Sequence, residues 1–102
     1  MKTILMSLIF TLAQAFAADK EVSWEEVKAH KQPEACWIVI EGKVYDVTAY
    51  LNLHPKRGRK ELIAACGQDA TEGWQKKGER GRPHSEKAAK LLQSFSVGKL
   101  RP

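Results

Sequence analysis

Two histidines, His54 and His84, stand thirty residues apart, and each borders large apolar side chains. A neutral imidazole is a common metal ligand. The first lies in "YLNLHPKRGRKEL", Tyr50 to Leu62, where an apolar run ends at His54 and is followed by Pro55 and four basic residues in five. The second opens "HSEKAAKLL" and is followed at once by Ser85. Tyr50, Leu51, Leu53, Leu62, Ile63, Trp74, Leu91 and Leu92 surround the two positions in sequence. An apolar gap with one imidazole on each side suits a flat cofactor such as an iron porphyrin, which takes an axial nitrogen on each face. The same spacing also suits two unrelated histidines over an ordinary core.

The elements that must carry these residues are short. "SWEE" at Ser23 to Glu26 is a capping box, with serine at the N-cap and glutamate three residues later, and it predicts a helix to about His30. "CWIVI", Glu41-Gly42 and "KVYDV" predict a β-hairpin with a tight turn. Thr48 to Leu53 reads as a short helix leading into the His54 loop, where Pro55 should stop the helix because it lacks an N–H. Arg59 to Cys66 reads as a second helix, with Gly67 to cap it. "DATE" at Asp69 to Glu72 reads as a second capping box opening a third, which Gly78, Gly81 and Pro83 should break. Ser85 to Gln93 reads as a fourth, with Ala88, Leu91, Leu92 and Phe95 at helical spacing. "FSVGKL" ends as a strand. Two helical hairpins, each with a histidine at its tip, could thus present two imidazoles across a gap. The fold class is α+β: a small mixed sheet plus two helical hairpins.

The chain has 102 residues. Lys2, the apolar run Ile4 to Leu12 and the small-x-small "AFA" at Ala15 to Ala17 read as a secretory signal peptide over residues 1–17. A membrane span would need about 20 apolar residues, which no segment supplies, and no cysteine follows the apolar run, so neither a membrane nor a lipid anchor is expected. Residues 18–102 are then one small exported domain in the periplasm. A domain of about 85 residues is marginal and needs a bridge, a metal or a cofactor to hold it. Cys36 and Cys66, the chain's two cysteines, are expected to form a disulfide in an oxidising compartment. No CxxC occurs, which argues against zinc fingers, thioredoxin chemistry and covalently attached haem.

Charge is unevenly spread. From Ala18 to Leu53 there are four Lys/Arg against seven Asp/Glu, whereas from His54 to Lys90 there are ten against five. The formal net charge of the whole chain is +5. A basic balance invites nucleic acid, but an exported domain without interleaved aromatic and basic residues speaks against it.

In order and in register, "WIVIEGKVYDVTAYLNLHP", "GQDATEGW", "HS" and "FSVGKL" resemble the cytochrome b5-like haem-binding domain family, and the resemblance runs from "SWEEV" to "VGKL". It implies that His54 and His84 are the two axial ligands of one non-covalent haem b (iron protoporphyrin IX) per chain. Ser85 matches the serine that hydrogen-bonds a haem propionate. Tyr50 and Trp74 match aromatics packed beside the porphyrin, with Leu51, Leu62 and Leu91 among the lining residues. Trp37 and Tyr45 match hairpin positions of a separate, smaller core. Each imidazole should bind through Nε2 while its Nδ1–H donates to a backbone carbonyl. The family's two glycines after His-Pro are replaced here by Lys56-Arg57 ahead of Gly58, with one residue added. "KKGERGRP" is longer than usual before His84, and Pro83 stands for a common glycine. The cysteines, untypical of the family, resemble its exported bacterial b-type branch, the cytochrome b558 type. His30, beside Lys28 and Lys31, reads as a solvated surface residue.

The resemblance implies a monomeric one-electron carrier and not an enzyme, since two strong protein ligands leave iron no open position. Its partners would be redox proteins with acidic docking surfaces, matching Lys56, Arg57, Arg59 and Lys60 after one ligand and Lys76, Lys77, Arg80 and Arg82 before the other. Two alternatives stand beside it. One is a haem- or small-ligand-binding module without redox duty. The other is a zinc site from both histidines and reduced cysteines.

Overall fold

Strong local signals set the first elements of the computed structural model, which describes residues 20–54, 56–76 and 84–102, without the Arg57 side chain. The expected signal peptide, Pro55 and residues 77–83 lie outside the described residues, and with the last of these the expected rim charges Lys77, Arg80 and Arg82. Strand β1 (Glu21–Val22) leads to helix α1 (Trp24–Ala29). The capping box forms as read: Ser23 Oγ accepts from the Glu26 N–H at 3.1 Å, and the Glu26 carboxylate accepts from the Ser23 N–H at 3.4 Å. After β2 (Lys31–Gln32) come β3 (Ala35–Ile40) and β4 (Lys43–Asp46). Their two-residue turn puts Glu41 at φ 50° and Gly42 at φ 78°, the left-handed pair that a tight hairpin demands and that glycine adopts freely.

A 3₁₀ turn (Thr48–Tyr50) then feeds His54, and helix α2 (Lys56–Ala64) follows. That helix begins three residues earlier than the expected start at Arg59. Lysine and arginine have helix propensities near that of leucine, so the basic run is the first turn of a helix and not a loop. Strand β5 (Gln68–Asp69), helix α3 (Thr71–Lys76), helix α4 (Glu86–Gln93) and strand β6 (Ser96–Leu100) complete the described elements. At the head of α3, Asp69 Oδ1 accepts from the Thr71 N–H at 2.9 Å, a turn two residues long in place of the expected reciprocal box. Ser85 caps α4, its Oγ accepting from the Ala88 N–H at 3.2 Å.

Among the described residues the sheet runs β1-β6-β4-β3-β2, with β5 added alongside β3. β1 pairs β6 and β5 pairs β3 in parallel, while the other pairs are antiparallel. The two faces bury different cores. Cys36, Ile38, Ile40 and Tyr45 join Val47, Leu51 and Cys66 in one cluster, against which Tyr50, Leu62, Trp74, Leu92 and Phe95 pack. Val39 and Val44 join Val22 and Val27 in a second, flanked by Trp24 and Trp37. The 3₁₀ turn with α2, α3 and α4 therefore covers the first face, and α1 covers the second.

Strand parity corrects one expectation. Trp37 belongs to the smaller core as read, but Tyr45 does not. Register pairs Ile38 with Tyr45 and Val39 with Val44, and residues opposite one another in an antiparallel pair share a face. Tyr45 is thus on the helical side, 6% exposed. Burial, and secondarily the nearby Glu41 carboxylate, raises its phenol pKa above the usual value.

Cys36 and Cys66 are bridged, and both sulfurs sit in the first core. The expected bridge exists, but it does not reach the second core. It fastens the start of β3 to the turn just after α2, within the core that backs the histidines. Main-chain bonds reinforce this seam: the Gly67 N–H donates to the Trp37 carbonyl at 2.6 Å and the Ala70 N–H to the Val39 carbonyl at 2.7 Å.

Candidate functional site

Both histidines attach to the same core through an aromatic ring. His54 follows the 3₁₀ turn directly, its N–H donating to the Tyr50 carbonyl at 3.0 Å. Its imidazole meets the Tyr50 ring edge-on at 5.7 Å, and Tyr50 in turn contacts Phe95 at 5.6 Å. His84 lies flat on the Trp74 indole, centroids 4.3 Å apart and planes 4° apart. Tyr50 and Trp74 both pack against the first core. That core is thus the common support of two residues thirty positions apart in sequence.

The ring of His84 has a defined tautomer. Its Nδ1 lies 2.6 Å from the Trp74 carbonyl oxygen, and the His84 N–H donates to that oxygen at 3.2 Å. A carbonyl can only accept, so Nδ1 carries the proton and the lone pair lies on Nε2, the atom that a metal ligand of this tautomer would use. Trp74, which the resemblance puts beside a porphyrin, thus stacks on the histidine and holds its Nδ1–H through the main chain.

His54 is fitted from the other side by α2. A Cβ at Gly58 would collide with His54 Cε1 and stand 3.1 Å from Nδ1. Glycine early in a helix forgoes about 0.5–1 kcal/mol relative to alanine, and here it lets the helix backbone rest against the imidazole. Gly58 is therefore the small residue that remains against the histidine once Lys56-Arg57 stand directly after Pro55.

Leu51 is buried in the first core and backs the site, while Leu62 is half-buried against that core. Leu53 is 76%, Leu91 44% and Ile63 37% exposed. These large apolar side chains lie one residue from His54, on α4 after His84, and on α2 beside Leu62. Ser85 caps α4, and no second partner of its hydroxyl is described.

The donor set fits an iron porphyrin: a δ-protonated imidazole, a second imidazole cradled by a glycine, and large apolar side chains in contact with solvent nearby. It fits zinc poorly, because both cysteines are committed to their bridge, and among the described residues no group of three His, Cys, Asp or Glu could hold a metal ion.

Two residues turned out otherwise than read. His30 is half-buried: it stacks on Trp37 with centroids 3.7 Å apart, and its Nδ1–H donates to the Glu26 carbonyl at 2.7 Å. It therefore joins α1 to the sheet. Arg59 is half-buried too, its guanidinium donating to the carbonyls of Leu51, Asn52 and His54 at 3.0–3.1 Å. It is not a free charge on a rim. Neither role could be read from composition, since each depends on a turn that brings the partner back.

A small mixed sheet with short helices packed over one face is the architecture of a cytochrome b5-type domain. Residues 23–101 match the family described as "Cytochrome b5-like Heme/Steroid binding domain", and the chain belongs to it. It is 46% identical over 76 residues to soluble cytochrome b558 of Ectothiorhodospira shaposhnikovii, covering 74% of this chain and 81% of that one. Cytochrome b5 isoform B of Arabidopsis thaliana is 42% identical over 77 residues, covering 76% of this chain and 53% of that longer protein. The solved structure of cytochrome b558 from Ectothiorhodospira vacuolata, described as a prokaryotic homologue of cytochrome b5, superposes with a TM-score of 0.73 at 42% identity. It covers 79% of this chain and 98% of that one. Barley NADH nitrate reductase carries a matching segment that is only 8% of its length. Among the described residues no helix is long and apolar enough to cross a membrane.

Proposed function

We propose that this protein is an exported b-type cytochrome that carries single electrons between protein partners, with His54 and His84 as the axial ligands of a non-covalent haem b. The observation that carries the reading is the preparation of His84. Its Nδ1–H is held by the Trp74 carbonyl, which fixes the tautomer and ring plane that coordination through Nε2 requires. Haem, when bound, supplies a one-electron ferric–ferrous couple.

The chain's own residues do the rest. His54 and His84 would hold the haem iron between them, and two strong protein ligands would leave no open position for substrate oxidation. Tyr50 and Trp74 fix the two imidazole planes. Leu53, Ile63 and Leu91, exposed in the chain alone, would be covered by the porphyrin and keep water from its faces. Ser85 retains a hydroxyl proton for a propionate while its oxygen caps α4. The site is best tested by the visible spectrum of the purified chain with haem. A low-spin b-type spectrum that changes on reduction and ignores carbon monoxide supports it; a high-spin or carbon monoxide-sensitive spectrum refutes bis-histidine ligation.

Residues 1–17 would direct export to the periplasm and be removed. The N-terminal sequence of protein recovered from that compartment tests this. Lys56 and Lys60 are exposed at the start of α2, beside His54, in the half of the chain where basic residues predominate. Their charge favours an acidic docking partner by complementarity of potential.

A further inference from the structure

Arg59 holds the main chain that delivers His54. Its Nε donates to the Leu51 carbonyl at 3.1 Å, and its Nη2 donates to the carbonyls of Asn52 and His54, each at 3.0 Å. These carbonyls end the helical turn begun at Thr48, where the Leu53 and His54 N–H groups both donate to Tyr50. The last carbonyls of a helical turn lack intrahelical partners and carry partial negative charge. A planar cation with several donors can join three of them at once, which the compact ammonium of lysine does less well.

The residue before it acts on the same histidine. Gly58 lies against the imidazole so closely that a Cβ would meet Cε1. The Tyr50 ring stands perpendicular to the imidazole, with the two centroids 5.7 Å apart. Gly58 and Tyr50 thus contact the ring while Arg59 grips the backbone that bears it. The same arginine locks α2 to the turn before it, so the distance between Gly58 and the ring is also under its control.

We propose that Arg59 is the positioning residue for His54: its guanidinium fork fixes the backbone of the ligand-bearing turn, and so sets the imidazole plane and how long haem stays bound. This inference rests on His54 being an axial ligand. Arg59 is accordingly removed from the docking charges, and its charge acts within the chain.

The test compares the full chain with Arg59→Met, which keeps much of the apolar stem and loses the fork, and Arg59→Lys, which keeps the charge. Lys43→Met, a charge lost from the exposed hairpin, is the control. Each is loaded with haem b. The readouts are the ferric EPR g-values, the rate of haem transfer to excess apomyoglobin, and thermal melting without haem. Loss of a group that orients a ligand typically costs 10–100-fold in metal affinity. Arg59→Met should therefore lose haem about tenfold faster or more, with shifted g-values. Arg59→Lys should lie between, and Lys43→Met should match the parent. Parental haem loss and g-values in Arg59→Met would overturn the proposal even if the haem-free chain melted lower, because Arg59 would then be structural only. Should Arg59→Met fail to fold, Arg59→Lys decides: faster loss with shifted g-values supports the proposal, and parental values overturn it. Separately, a low-spin parental spectrum that survives His54→Ala would sink the ligand reading itself, and the inference with it.

Discussion

An imidazole that coordinates through one nitrogen needs its other nitrogen, its ring faces and its backbone held by something else. At His84 the Trp74 residue does two of these jobs, with its carbonyl on Nδ1 and its indole on the ring face. His84→Ala and His54→Ala should each remove the low-spin spectrum and speed haem loss. Because bound haem stabilises the fold by mass action, each should also lower the melting temperature of the loaded protein. Gly58→Ala is a finer probe: the new methyl must displace the His54 ring, so haem should be lost faster while the haem-free helix gains propensity. Transfer rates to apomyoglobin and melting of the haem-free chain separate the two effects. His54 and His84 stand out in the sequence because proline, serine and the apolar runs flank them, and the tautomer of His84 became visible only with the Trp74 carbonyl in place. Tyr45 was misread because one step along a strand reverses the face, and parity is fixed only when the register with Ile38 is known. Its raised phenol pKa has a definite consequence. The stabilisation from keeping the phenol protonated is fully present below the ordinary tyrosine value, ~10, and is lost as pH rises through the folded-state value. Tyr45→Phe should therefore flatten the fall in melting temperature above about pH 10, and an unchanged alkaline profile would remove Tyr45 from the account.

Elements with a chemical start signal were readable, and elements held only by neighbours were not. The Ser23 box and the Glu41-Gly42 turn each specify their own geometry, as does the Ser85 cap. β1, β2 and β5 are two residues each, too short to display a period of two, and they exist because β6 or β3 supplies a ladder. Ser23→Ala should cost about 1 kcal/mol by leaving first-turn N–H groups without a protein partner, measurable by urea unfolding. The Cys36–Cys66 bridge spans 30 residues and on the chain-entropy account contributes roughly 3–4 kcal/mol. Its loss should matter more than that of any cap, because it anchors β3 to the far end of the helix that begins beside His54. The double variant Cys36→Ala/Cys66→Ala should melt markedly lower and retain haem less well. If haem loss is unchanged, the bridge steadies the fold without bearing on the site.

At the scale of the molecule the question is where the charge acts. Four cations follow His54 within six residues, at the N-terminus of a helix, where positive side chains cost a few tenths of a kcal/mol each against the macrodipole. Arg59 turns back to the preceding carbonyls. Lys76 pairs with Glu72 at 3.4 Å on the surface of α3, a contact worth little in water. Lys56 and Lys60 stay exposed, next to the site through which electrons would pass, while residues 18–53 carry an acidic excess. Exposed charges reach about 10 Å at 0.1 M salt, so they steer encounter more than they fix affinity. Electron transfer to an acidic redox protein should therefore slow steeply as salt rises. Reversing Lys56 and Lys60 to glutamate should slow it further at low salt and speed reaction with a basic acceptor. Arg59 is left untouched in this test, because changing it would disturb His54 and mimic a docking defect. Stopped-flow rates against ionic strength give the answer directly. A rate indifferent to salt and to both reversals would make the basic turn a solvated face whose cost to the helix serves only solubility.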